Sequence, residues 1–261
     1  MTKEKTNQKV LEIRCVTKDY AGLRALSNVS FNVEPGMNIM GIIGPNGAGK
    51  TTLFNVITGV DRCSGGQIFF KGKEISRMKD YMIARLGISR TFQNVRLFNH
   101  LNVLENVMTG CEVHFKTPLL RTAFSSSKAR AIEERIRSIS LEMLSFVGLE
   151  HKQDFVPDNL PLGERKLVEL ARALVAKPNL LLLDEPASGL NDAEVEEFIK
   201  LVHKIKNDGM AVLLVEHRMT LVMRISEKLV VLDHGEKISE GSPVEVQNDP
   251  TVIAAYLGKK V

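Results

Sequence analysis

The chain has no tryptophan, only three cysteines, and no apolar run approaching the length of a membrane span. Cys15, Cys63 and Cys111 are odd in number, widely separated and without metal-ligand spacing. That excludes a disulfide scaffold and a structural zinc site, and it fits a reducing cytosol. Packing is the role expected of all three. The longest apolar stretches, Leu180–Leu183 and Met210–Val215, hold four and six residues, against the roughly 20 that a spanning helix needs. The leading segment MTKEKTNQKV has no apolar core, so no signal peptide is expected. A strong charge of either sign is also missing. Thirty-five Lys+Arg against 31 Asp+Glu leave +4, too little by itself to indicate nucleic-acid binding. With 44% hydrophobic and 25% charged residues, disorder and collagen-like repeats are excluded as well. At about 150 residues per domain, 261 residues allow one or two domains.

What is present is a set of short apolar runs, each bounded by turn residues. Leu11–Val16 and Ser30–Val33 read as strands on either side of a turn at Ala21–Gly22. After the turn signal Pro35-Gly36, Met37–Ile43 reads as a strand entering the glycine-rich run Gly44–Gly49. Lys50–Thr58 then reads as a helix stopped by Gly59, and Gln67–Phe70 as a strand before a polar turn at Lys71–Lys73.

From Leu101 to about Ala176 the period is helical. There Ile132, Ile136, Ile139, Met143, Leu144 and Val147 share one face, and Gly148 stands where a helix stops. Thr117–Lys128 reads as a Ser/Thr-rich surface loop. Strands and helices alternate again afterwards: Leu180–Asp184, a helix over Asp192–Asn207, Met210–Val215, a helix over Arg218–Ile225, and Leu229–Leu232. The pattern predicts one α/β domain over the whole chain, with a largely parallel sheet and a helical insertion at about 101–176. No internal repeat is evident.

Gly44-Pro45-Asn46-Gly47-Ala48-Gly49-Lys50-Thr51 satisfies the phosphate-loop pattern G-x-x-x-x-G-K-[ST]. The glycines let successive N–H groups turn inward as an anion nest at a helix start. Lys50 adds a full charge for the β- and γ-phosphates, the Thr51 hydroxyl is placed for Mg²⁺, and Thr52 beside it completes the ATP-binding loop. A strand precedes the loop and a helix follows, as the motif requires, and no G-x-G-x-x-G occurs to suggest a dinucleotide loop. Nucleoside triphosphate binding follows.

Leu180–Leu183 ends in Asp184-Glu185. At the C-terminal edge of a parallel sheet this pair would lie beside the phosphate loop. Asp184 suits the Mg²⁺ shell, commonly through water. Glu185, one residue on, would orient or deprotonate the attacking water. Val215-Glu216-His217 repeats the device of a buried strand that delivers a polar residue, and His217 would hold the water and sense the γ-phosphate.

In this order, the phosphate loop, Gln93 in Thr91-Phe92-Gln93, Asp184-Glu185-Pro186, Ser188-Gly189-Leu190-Asn191 and His217 resemble the ATP-binding cassette (ABC) ATPases over nearly the whole chain. The resemblance implies a RecA-like P-loop core, an N-terminal antiparallel β subdomain and an inserted helical subdomain. It also implies that Gln93 reaches Mg²⁺ and the water and links the site to a transport partner, and that Tyr20 stacks on adenine.

The stretches Asp19–Leu26, Arg90–Phe98 and Val215–Met219, the extra residues after Val107, and the ending Ala255-Tyr256-Leu257-Gly258 are similar to the ATPases of bacterial branched-chain amino-acid importers. That resemblance implies a peripheral subunit on the cytoplasmic face of the inner membrane. Its partners would be integral-membrane permeases, a second cassette or a second copy of itself and, indirectly, a substrate-binding protein, with no nucleic acid. Three other readings stay open on the residues: a sister importer for urea or short amides, a soluble cassette ATPase acting on nucleic acid or ribosomes, and a non-hydrolysing regulatory cassette.

One motif departs from the family. Where its signature helix begins Leu-Ser-Gly-Gly-Gln, this chain reads Leu160-Pro161-Leu162-Gly163-Glu164. Pro161 has neither a hydroxyl nor an N–H to offer a partner's γ-phosphate, although proline is tolerated where a helix begins, and a helix over Glu164–Ala176 is expected. In a homodimer both ATP sites would lack a hydroxyl donor, and a hydrogen bond to a charged group is worth about 1.5–3 kcal/mol. The chain is therefore expected to pair with a cassette carrying the serine, making its own Lys50–Glu185 site the faster one. Glu185→Gln in mixed, purified subunits should then cost more ATPase activity than the equivalent change in the partner. Equal losses would remove the asymmetry.

Overall fold

The computed structural model describes residues 8–37, 39–113, 127–207 and 209–257. The first strands pair as a hairpin: β1 (Leu11–Tyr20) runs antiparallel to β2 (Leu23–Val33) across the turn at Ala21 and Gly22, both with positive φ. Each is longer than the apolar pattern suggested, because bulges between Ile13 and Lys18 break the alternation without ending the pairing. β3 (Ile39–Ile43) leads through the phosphate loop into α1 (Lys50–Thr58), and β4 (Gly65–Phe70) and β5 (Lys73–Glu74) complete an antiparallel sheet of order β2-β1-β4-β5.

α2 (Asp80–Arg85) and β6 (Ile88–Arg90) follow. The next stretch holds α3 (Val103–Thr109), α4 (Ser127–Phe146) and α5 (Leu162–Leu174), with short 3₁₀ turns between them. Residues 117–126 of the expected Ser/Thr-rich loop lie outside the described residues. Ser127 and Lys128 belong to α4 instead. The rest alternates as expected: β7 (Leu180–Asp184), α6 (Asp192–Asn207), β8 (Ala211–Val215), α7 (Met219–Ile225) and β9 (Lys228–Asp233). β10 (Glu236–Gly241), α8 (Pro243–Gln247) and α9 (Pro250–Leu257) close the described chain.

The second sheet has the order β10-β9-β3-β8-β7-β6, parallel throughout except for β10 on β9. Its four central strands, β9, β3, β8 and β7, are buried on both faces, as short apolar runs in a parallel sheet should be, while the edge strand β10 is not. The period of two divides the core. Met40, Ile42, Leu180, Leu182, Leu213, Val215, Val230 and Leu232 pack toward α1 and the antiparallel sheet. Ile39, Ile43, Leu181, Leu183, Val212, Leu214, Leu229 and Val231 pack toward α3–α7. Each fully buried side chain of this size contributes about 1.5–3 kcal/mol.

Three expectations need correction. The helix expected over Glu164–Ala176 runs from Leu162 to Leu174, two residues earlier at each end, with Pro161 as its N-cap. Ile132 stays 38% exposed, one turn nearer the start of α4 than Ile136, the first residue of that face to be buried. Of the cysteines, Cys111 is a packing residue, whereas Cys15 is exposed at a bulge of β1 where φ is 49°.

Gly41, in the middle of β3, lies between β8 and β9. A Cβ there would come within 2.6 Å of Leu229 Cδ2, 2.8 Å of Ser226 Oγ and 3.0 Å of Val222 Cγ1. Overpacking of this kind costs about 1–3 kcal/mol. Gly41→Ala should therefore lower the urea midpoint by that equivalent with little change in slope, as measured by circular dichroism.

Candidate active site

The phosphate loop curls because two of its glycines tolerate what no other residue could. At Gly44 (φ 152°) a Cβ would lie 2.1 Å from the Leu232 carbonyl oxygen of β9. At Gly49 (φ 98°) it would lie 2.6 Å from the Ala25 carbonyl oxygen of β2. The turn between β9 and β10 braces the loop from outside, with Gly235 N–H donating to Ala48 O at 3.1 Å. Gly49 is the N-cap of α1 and no side chain caps it, so the first N–H groups of the helix are left for an anion, on the side the helix dipole favours.

Lys50 folds back into this loop. Its ammonium is buried and donates to Gly44 O at 2.8 Å and Pro45 O at 2.9 Å. Burial draws its pKa below the usual lysine range, against the opposing pull of Glu185 and Asp184.

A cavity of about 570 Å³ opens over the loop. Asn46, Gly47, Ala48, Gly49, Lys50, Thr51 and Thr52 form its floor, and Tyr20, Gln93, Glu185 and His217 stand around it. Arg24, Ala25 and His234 also line it. No local pattern marks His234, which sits at the positive-φ corner of the β9–β10 turn.

Glu185 follows β7 directly and holds φ at 48°, a left-handed conformation costly for a residue with a Cβ. Its N–H is tied to Val215 O at 2.8 Å. Its carboxylate lies between two partners: Oε1 is 2.6 Å from His217 Nε2, and Oε2 accepts from Gln93 Nε2 at 2.8 Å. Two further anchors escaped sequence reading. Buried Glu216 accepts from the N–H groups of Ala187, His217 and Arg218, fastening the loop after β8 to the loop after β7. Lys166 of α5 donates to the carbonyls of Glu185 and Pro186.

Asp184 lies behind the cavity, 2% exposed. Arg90 donates to its Oδ2 at 2.7 Å, and burial lifts the carboxyl above its usual range while Arg90 opposes the shift. Its Oδ1 is buried and has no partner, an open acceptor of the kind a divalent cation shell would satisfy. The Thr51 hydroxyl and the Gln93 amide are also hard oxygen donors suited to Mg²⁺.

The Tyr20 hydroxyl donates to Asp61 at 2.6 Å, and Lys18 Nζ sits 4.4 Å from the ring centroid. Burial, and then Asp61, push the Tyr20 pKa up to about 12. Leu160, Pro161, Leu162, Gly163 and Glu164 line none of this cavity. A Cβ at Gly163 would meet Glu194 of α6 at 2.6 Å, and Glu164 pairs with Lys152.

A triphosphate-sized cavity over such a loop, at the carboxyl edge of a parallel sheet, defines a P-loop nucleoside triphosphatase. The sequence model of the family described as "ABC transporter" matches residues 26–188, and that of "Branched-chain amino acid ATP-binding cassette transporter" matches residues 236–261. The chain is 38% identical over 251 residues to the high-affinity branched-chain amino acid transport ATP-binding protein BraF of Pseudomonas aeruginosa, covering 96% of this chain and 98% of BraF. To LivG of Escherichia coli, of the same description, it is 36% identical over 254 residues, covering 97% and 99%. The ADP conformation of MJ1267, an ATP-binding cassette of an ABC transporter, superposes with a TM-score of 0.83 at 32% identity, covering 96% and 99%. The chain belongs to the ABC transporter family, among the branched-chain amino-acid transport ATPases. It binds ATP, and its ATP hydrolysis drives transport.

Lys50→Ala removes a charge that serves the cavity and not the core. The variant should fold, yet lose the stabilisation that ATP gives the parent. That stabilisation is about 2.7 kcal/mol at a hundredfold excess over Kd. Thermal unfolding with and without ATP measures it, and a parental shift in the variant would refute the assignment.

Proposed function

We propose that this chain is the ATP-hydrolysing subunit of a branched-chain amino-acid importer, seated on the cytoplasmic face of the membrane against permease subunits. The carrying observation is end-to-end similarity to BraF and LivG, together with the separate match of residues 236–261 to the branched-chain family. Among the described residues no helix is long and apolar enough to cross a membrane, so attachment falls to partners. In this reading the whole chain is one cassette, residues 101–176 are its helical subdomain, a second cassette supplies the facing signature, and a substrate-binding protein delivers the cargo to the permease.

The chemistry assigned to each residue follows from its surroundings. The open N–H groups of the loop and Lys50 hold the β- and γ-phosphates, and the ammonium exchanges the two carbonyls it now contacts for phosphate oxygens. Tyr20, its hydroxyl fixed on Asp61, offers a ring face to adenine. Glu185 orients the attacking water and accepts its proton. His217 and Gln93, each bonded to one carboxylate oxygen, fix its direction. Thr51, Asp184 and Gln93 would hold Mg²⁺, which neutralises phosphate charge when bound. Leu160–Glu164 is the surface offered to the other cassette.

Glu185→Gln keeps size and hydrogen bonding but cannot take a proton. ATP binding should stay within about twofold while turnover falls about 10²–10⁴-fold. Equilibrium dialysis and phosphate release measure the two separately, and parental turnover would exclude Glu185 as the base.

A further inference from the structure

Arg90 ends β6 three residues before Gln93, and its guanidinium ties three elements together. Nη2 donates to Asp184 Oδ2 at 2.7 Å, and Nη1 donates to Asn55 Oδ1 at 2.8 Å. The guanidinium carbon also lies 5.5 Å and 5.1 Å from the ring centroids of Phe54 and Phe92. The ion pair is nearly dry, with side chains 6% and 1% exposed. A pair this deep offers little net stability over apolar residues of the same size, because two charges have lost their water. What it does supply is direction.

One oxygen of Asp184 is taken by Arg90 while the other, Oδ1, is buried without a partner. Asn55, on α1 behind the phosphate loop, holds the far side of Arg90. Its own amide donates to Asp61 Oδ2 at 3.1 Å, the atom that receives the Tyr20 hydroxyl. One hydrogen-bonded chain therefore runs from Tyr20 through Asp61, Asn55 and Arg90 to Asp184.

We infer that Arg90, held by Asn55, is a positioning residue that pins Asp184 through Oδ2 and keeps Oδ1 directed at the divalent cation accompanying ATP. The inference rests on the proposed place of Asp184 in the Mg²⁺ shell. Residues behind a metal ligand typically carry about 10–100-fold of cation affinity, so Arg90 should affect ATP binding only when Mg²⁺ is present. A role confined to holding the fold would weaken binding with and without the metal alike.

The test is equilibrium dialysis of ATP, in EDTA and across a Mg²⁺ titration, with folding followed by circular dichroism. The variants are Arg90→Gln, Arg90→Lys, Asn55→Ala and Asp184→Ala. Arg90→Gln should bind ATP within about twofold of the parent in EDTA and need about 10–100-fold more Mg²⁺ for the metal-dependent gain. Arg90→Lys keeps the charge without the fork and should recover part of the loss. Asn55→Ala should shift Mg²⁺ dependence in the same direction, and it decides the matter if Arg90→Gln does not fold.

If Asp184→Ala loses the Mg²⁺-dependent gain while the Arg90 and Asn55 variants keep it, the positioning role is overturned and the place of Asp184 stands. If Asp184→Ala itself keeps the full gain, both fall.

Discussion

The phosphate loop is held by contacts too close for any side chain. Gly44 passes the Leu232 carbonyl, and Gly49 passes that of Ala25. Those approaches come from the two sheets on either side of the loop, β9 of the parallel sheet and β2 of the antiparallel one. Without both sheets the loop would be an ordinary glycine turn. With them, its N–H groups open toward one cavity and α1 leaves it at a set angle. The rest of the site is arranged around that loop: the carboxyl ends of β7 and β8 bring Glu185 and His217, and β6 brings the segment carrying Gln93.

Around the loop the chain buries charge sparingly, and each buried charge has partners that fix it. Lys50 rests on two loop carbonyls. Glu216 collects three backbone N–H groups and joins two strand-end loops. Lys166 crosses from α5 to the carbonyls of the Glu185–Pro186 turn, so the helical region is bonded to the backbone beside the carboxylate. Unsatisfied, any of these groups would cost several kcal/mol in so apolar a setting. The Arg90–Asp184 pair departs from this: Asp184 Oδ1 and Arg90 Nε are both buried without a partner, the first of them behind a cavity built for phosphate.

The departure at Pro161 leaves the helix intact. A proline N-cap loses no intrahelical bond, and its carbonyl still accepts from Arg165 N–H at 3.0 Å. What changes is the surface offered outward, which lies apart from the chain's own phosphate cavity.

Several features could be read from the sequence because they are local. Gly44–Thr51 is one contiguous motif, Leu180–Asp184 one apolar run, and Asp192–Asn207 one period with its charges at the proper ends. Dihedral preference and one-face burial leave a trace within a few residues, and the order of such traces was enough for the α/β class and the nucleotide site. β6 left none, because three residues are too few for a period and only pairing with β7 makes them a strand. Tertiary structure alone decided which polar side chains meet. Arg90 and Asp184 are 94 residues apart, Gln93 and Glu185 92, and Glu185 and His217 32. No local pattern encodes such pairings. Strand order brings the strand ends together, register aligns them, and low dielectric between packed faces makes a misplaced charge too costly to persist.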